Sequence, residues 1–136
     1  MTDPDAQHVS RPVLLAAEPQ LFVANISASC DFYTKKLGFA VAFTYGESAF
    51  YGQVARDGAR LNLRCVSAPV IDSQTRDRED LLSASITLDD AKPFYLEFQA
   101  SGVIFRQTLR KEPWGGLTFI VRDPDGNLIL FAGRGD

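Results

Sequence analysis

Residues 31–39 read DFYTKKLGF and residues 93–103 read PFYLEFQASGV. Each stretch places Phe-Tyr early, continues with apolar residues at helical spacing, and ends on a glycine followed by an apolar residue. Two copies of one amphipathic helix in one chain suggest a duplicated unit, and the flanking sequence carries the same duplication. Before the first helix, QLFVANI has the length and residue types of a short strand. Ser27 is expected to cap the helix, Phe32, Tyr33 and Leu37 to form its apolar face, and Gly38 to stop it in the left-handed conformation. FAVAFTY and SAFYGQVAR follow as strands separated by GE, and RDGA turns the second of them into RLNLRCV. The second copy runs the same way. LSASITL is a strand, Asp89 or Asp90 a cap, Pro93 a tolerated first-turn residue, and Phe94, Tyr95 and Phe98 an apolar face that ends at Gly102. VIFRQTL, GLTFIVR and NLILFAG supply three more strands, the last two joined by DPDG.

The pattern predicts an α+β fold of two βαβββ modules, residues 18–66 and 82–132, forming a curved mixed sheet within a single domain over 18–136. A module of about 50 residues cannot bury enough surface to close a core alone, so the two must pack together, within or between chains. Residues 67–81, with Pro, Ser and dense mixed charge but no period, are expected to be a solvated linker. Residues 1–17 are expected to be a partly flexible N-terminal segment.

Bulk composition narrows the function. The chain has 136 residues, 46% apolar and 23% charged, which matches an ordinary soluble globule. A net charge of −3 argues against a nucleic-acid surface, which depends on clustered Lys and Arg. No apolar run approaches the length of a membrane span, and MTDPDAQHVS lacks the character of a signal peptide, so the expected location is the cytoplasm. Cys30 and Cys65 are read as reduced packing residues.

Catalytic constellations are scarce. A transition-metal site needs about three imidazole, carboxylate or thiolate donors with an open position. The sole histidine, His8, falls in the expected tail. The carboxylates Glu18, Glu47, Glu97 and Glu112 suit Mg²⁺ or Ca²⁺ better. A Ser or Cys nucleophile would lack its usual base, and PWGG and DPDG read as turns rather than phosphate loops.

NISASCDFYTKKLGF (25–39), PWGGLTFIVRDPDGNLILF (113–131) and the paired βαβββ halves resemble the vicinal oxygen chelate superfamily, also called glyoxalase/bleomycin resistance protein/dioxygenase proteins. In its metal-dependent members each module contributes ligands from its first and last strands. The resemblance puts Glu18, Asn62, Ser83 and Leu130 at those four positions, which implies a chain without a metal or other cofactor. LGFAVAF, LDDAKPFY, WGG and DPDG are closest to bleomycin resistance proteins, homodimers that sequester a flat cationic drug in clefts at the subunit interface. In them an aromatic of the first module and a tryptophan of the second form a slot for planar rings, here Tyr51 and Trp114. Phe50 takes the place of Tyr51 if the strand slips by one residue. Asn62, Arg64 and Glu18 complete the candidate ligand-binding set, and Arg60 and Arg64 leave the charge of the ligand open.

Three functions stay open at this stage. One is a metal-free homodimer that binds a small planar ligand such as an antibiotic, with neither nucleic acid nor membrane as partner. The second is a glyoxalase- or dioxygenase-type lyase or isomerase with an atypical metal site. The third is a structural or regulatory dimer with a vestigial cup.

Overall fold

The computed structural model describes residues 11–134. Residues 1–10, with His8 and most of the expected tail, lie outside the described residues. Eight strands and three helices follow in the order β1 (Gln20–Val23), α1 (Ile26–Leu37), β2 (Ala40–Tyr45), β3 (Tyr51–Arg56), β4 (Ala59–Cys65), α2 (Ser73–Glu79), β5 (Ala84–Asp90), α3 (Ala91–Ala100), β6 (Phe105–Lys111), β7 (Leu117–Arg122) and β8 (Leu128–Arg134). The strands form two four-stranded mixed sheets, β1-β4-β3-β2 and β5-β8-β7-β6. In each, the first strand pairs parallel with the last and the other neighbours are antiparallel. This is the expected α+β duplication.

The equivalence of the halves is close but shifted from the one suggested by Phe-Tyr. Gln20 opposes Asn62 in the first parallel pair and Ser85 opposes Leu130 in the second, each first partner five residues before its helix cap, Asn25 or Asp90. Beyond the helices, the Phe39 amide donates to the Tyr33 carbonyl at 3.0 Å and the Val103 amide to the Phe98 carbonyl at 3.1 Å. Tyr33 and Phe98 each lie eight residues beyond their helix cap, Asn25 and Asp90, which makes them counterparts, and both are fully buried. Phe94 and Tyr95 sit one turn earlier and are only half buried.

Asn25, not Ser27, caps α1. Its backbone is extended and its side chain accepts the Ala28 amide at 2.8 Å. A cap at Ser27 would leave Ile26 outside the helix, whereas in the first turn Ile26 is buried. Gly38 stops α1 at φ +73°, as expected. Asp90 occupies the cap position of α3 without a side-chain cap bond, and its amide is taken instead by the Asp89 carboxylate at 2.7 Å.

Both helices pack into one core built from the two modules. Leu21, Leu37, Leu61 and Leu63 of the first meet Phe98, Phe119 and Phe131 of the second, where the Phe119 and Phe131 rings stack at 5.1 Å. Polar staples reinforce the joint. Arg56 donates to both carboxylate oxygens of Glu97, at 2.6 and 3.0 Å, and lies 4.8 Å from the centre of the Phe94 ring. The hydrogen bond from Arg56 holds the Glu97 carboxyl below its usual value. DPDG is a turn, with the Gly126 amide donating to the Asp123 carbonyl at 3.0 Å and Gly126 at φ +81°. It also serves as an inter-module clamp: Asp125 accepts the Ala24 amide at 2.8 Å, and Asn127 donates to the Phe22 carbonyl at 3.1 Å.

The connector between modules is more ordered than expected. It carries helix α2, capped by Asp72, whose side chain accepts the Thr75 amide at 3.0 Å. Asp77 pairs with Arg122 at 2.8 Å and Asp80 with Arg106 at 2.9 Å, which tethers the segment to β7 and β6. Seven polar residues show no apolar period, so the sequence pattern does not reveal a helix held by caps and distant cations.

Candidate functional site

Strand pairing decides which side chains share a face, because residues directly opposite in a sheet project to the same side. On the first sheet, Leu61 and Val54, and Leu63 and Gly52, oppose each other and face α1 and the core. The intervening residues face away from the helix. Tyr51 opposes Arg64, Gln53 opposes Asn62, Gln20 opposes Asn62 from the other side, and Phe22 opposes Arg64. Phe43 and Tyr45 of β2 oppose Gln53 and Tyr51 and join this face. The outer surface of the first sheet is thus an aromatic field: Phe22, Phe43 and Tyr45 are all exposed, and the Phe43 and Tyr51 rings lie 6.1 Å apart.

A polar floor lies within it. Gln53 donates to Asn62 at 2.8 Å and to Glu18 at 3.2 Å, and Asn62 donates to Glu18 at 3.5 Å. Arg60 stands 3.9 Å from the other Glu18 oxygen, and the Tyr51 hydroxyl donates to Gln20 at 3.3 Å. Glu18 and Asn62 therefore meet, and Tyr51 and Arg64 are neighbours. Phe50 precedes β3 and packs edge-on against Tyr45 at 5.6 Å. Sequence reasoning missed Gln53, Phe22, Phe43 and Tyr45. Alternation within β2 and β3, combined with the hairpin register, is the signal that finds them.

The second sheet offers a different surface. Ser85, Leu130 and Ile120 oppose one another in sequence across β5, β8 and β7, and Thr118 lies one pair further along β7 on the same side. Ser83 lies ahead of β5, donating through its hydroxyl to Asn127 at 2.9 Å. Glu112 accepts from Thr118 at 2.7 Å and from Arg110 at 2.6 Å, and these hydrogen bonds hold its carboxyl below the usual range. Trp114 sits at the tip of the β6–β7 turn, closed by the Gly115 amide on the Glu112 carbonyl at 2.9 Å. It is 75% exposed, so it is not a core-capping residue in this chain. Tyr51 and Trp114 belong to different sheets, and among the described residues Trp114 makes no aromatic pair.

A cavity of about 560 Å³ lies between the β3–β4 hairpin, Ser85–Asp89 and the rings of Phe94, Phe98 and Phe131, and Arg60 and Ser85 reach its wall. None of Glu18, Phe50, Tyr51, Asn62, Arg64 or Trp114 lines it.

The metal that the resemblance associates with some members does not fit these donors. Of the four positions only Glu18 is a carboxylate, its near oxygen is engaged by the amides of Gln53 and Asn62, and Leu130 brings hydrocarbon where an anion would be needed. Among the described residues no three His, Cys, Asp or Glu side chains are grouped to hold an ion. Replacing Asn62 by Glu, Ser83 by His and Leu130 by Glu together is expected to create Zn²⁺ or Ni²⁺ affinity measurable by calorimetry. Tight Zn²⁺ or Ni²⁺ binding by the unaltered protein in the same titration would contradict this assessment.

Two fused βαβββ modules, each presenting the outer face of a short sheet, define a scaffold whose chemistry depends on what those faces carry. The chain belongs to the Glyoxalase/Bleomycin resistance protein/Dioxygenase superfamily, whose model matches residues 8–131. Among solved structures, a bleomycin-binding protein complexed with bleomycin is similar at 22% identity and a TM-score of 0.72, over 89% of this chain and 99% of that one. The bleomycin-binding protein of Streptomyces verticillus, complexed with copper(II)-bleomycin, is similar at 24% identity and a TM-score of 0.68, over 93% and 100% of the two chains. TioX from Micromonospora sp. ML1 is similar at 18% identity and 0.69, over 86% and 96%. At these identities the likeness concerns the fold. No curated protein matches the chain significantly by sequence. No helix among the described residues is long and apolar enough to cross a membrane.

Proposed function

We propose that this protein is a metal-free binding protein that holds a planar aromatic small molecule, in the manner of a drug-sequestering protein, on the outer face of its first sheet. The observation that carries this reading is the aromatic field of Phe22, Phe43, Tyr45 and Tyr51 around the polar floor of Glu18, Gln53 and Asn62. Flat rings stack on such a field, and a few fixed polar groups orient them. Glu18 favours a cationic group and Arg64 an anionic one, so both charges can be read on a single ligand. Bleomycin, which two structural relatives bind, is one candidate.

The binding unit is a homodimer. Every residue of β2 is exposed, although the strand includes Val41, Phe43 and Tyr45, and an edge of that composition needs a cover. The segment before β1 adds Val13, Leu14 and Leu15 at 73, 100 and 93% exposure. A second chain that sets its β6–β7 turn over this face would bring its Trp114 opposite Tyr51 and close a slot that one chain leaves open. Sedimentation equilibrium at micromolar concentration is expected to give twice the 15.0 kDa chain mass. A stable monomer would remove the partner from the site.

A further inference from the structure

We propose that the cavity beneath residues 66–70, which adjoins the aromatic face at Phe22, is a binding site for a small carboxylate. The cavity measures about 90 Å³ and is walled by Phe22–Ala24 at the end of β1, by Val66–Val70, by Asp125 of the DPDG turn and by Arg76 of α2. That is room for a group the size of acetate and far too little for an aromatic ligand.

Arg76 carries the assignment. Its side chain is 6% exposed, yet among the described residues it forms no ion pair. Nη1 donates to the Asp125 carbonyl at 3.3 Å, and Nε is buried without a partner among the described residues. A guanidinium cannot shed its proton to escape burial, so an unpaired one is costly unless an anion joins it. With Nη1 engaged, the open edge of the group is the Nε–Nη2 side, where two parallel N–H bonds match the two oxygens of a planar carboxylate. Of the neighbouring acids, Asp77 accepts from Arg122 at 2.8 Å, and one oxygen of Asp125 accepts the Ala24 amide at 2.8 Å. The negative charge of Asp125 in the wall opposes an incoming anion, so binding is weak.

The site joins three separate parts of the chain, the end of β1, the connector and the DPDG turn. An anion there would tighten the clamp between modules and raise thermal stability. The test is thermal unfolding in sodium acetate against sodium chloride at equal ionic strength. Acetate is expected to raise the melting temperature of the wild type beyond chloride, and Arg76→Met to abolish the difference. Should that variant fail to fold, Asp125→Asn keeps the guanidinium, removes the opposing charge and retains an acceptor for Ala24. It is expected to show a larger acetate shift than the wild type at the same concentration. The part of the response that Arg76→Met removes is expected to be smaller for inorganic phosphate, tetrahedral and larger, than for acetate. An acetate effect that persists in Arg76→Met, one unchanged in Asp125→Asn, an equal Arg76-dependent response to phosphate, or no response at all would each overturn the assignment.

Discussion

Asp123→Ala is expected to destabilise the protein by at least about 3 kcal/mol. The carboxylate is nearly buried and accepts four hydrogen bonds: from the Tyr33 hydroxyl at 2.8 Å, the Asn127 side chain at 3.0 Å, and the amides of Asn127 and Asp125 at 2.8 and 2.9 Å. Alanine strands all four donors. Each orphaned buried donor costs about 1 to 3 kcal/mol, and partial hydration recovers some of the sum. Burial pushes the Asp123 carboxyl above its ordinary value despite these donors, and it pushes the Tyr33 phenol far up with help from the Asp123 charge. The hub spans the modules, since Tyr33 lies on α1 and Asp123 follows β7, so its loss weakens the joint as well as the turn. Asp123→Asn keeps one oxygen for the two backbone amides and is expected to cost less, about 1 to 2 kcal/mol. Urea denaturation checks both, with the midpoint falling and the slope unchanged. An alanine variant within 1 kcal/mol of the wild type would show that the clamp is not a structural element.

DPDG illustrates where sequence reading stops. Gly126 and the flanking strand patterns announce the turn, and the structure contains it. Nothing local says that Asp123 reaches Tyr33, 90 residues earlier, because a long-range partner leaves no period in the sequence. The same holds for α2, a short polar helix held by Arg106 and Arg122 from the second sheet. The repeated module was legible because strand length, helical spacing and left-handed glycines are all local signals. Even there, the Phe-Tyr match is off by one turn: position relative to the cap, eight residues on from Asn25 and from Asp90, pairs Tyr33 with Phe98.

The candidate site was legible in part for the same reason. Asn62, Arg60 and Arg64 alternate along β4, and alternation alone places them on one face. Whether Tyr51 or Phe50 joins them depends on cross-strand register, which the Tyr51–Arg64 pairing settles geometrically for Tyr51. Trp114 is identifiable as a turn residue, but its exposure and its separation from Tyr51 within one chain follow only from the three-dimensional arrangement.

The second large effect is on binding. If Tyr51 of one chain and Trp114 of the other enclose a flat ring, removing either by Tyr51→Ala or Trp114→Ala is expected to weaken binding by about 1 to 3 kcal/mol, the usual yield of one stacking partner. Both side chains are at least partly exposed, so fold stability should change little. A loss of several kcal/mol in stability with no selective loss of affinity would instead make the residue a packing element. Trp114 is the only tryptophan in the chain, so its emission reports this slot alone. The most direct measurement is a titration of Trp114 fluorescence with bleomycin and a panel of flat aromatic antibiotics. The proposal predicts saturable quenching by at least one of them at micromolar concentration, lost in Tyr51→Ala; linear, non-saturating quenching by all of them, unchanged in that variant, would contradict it.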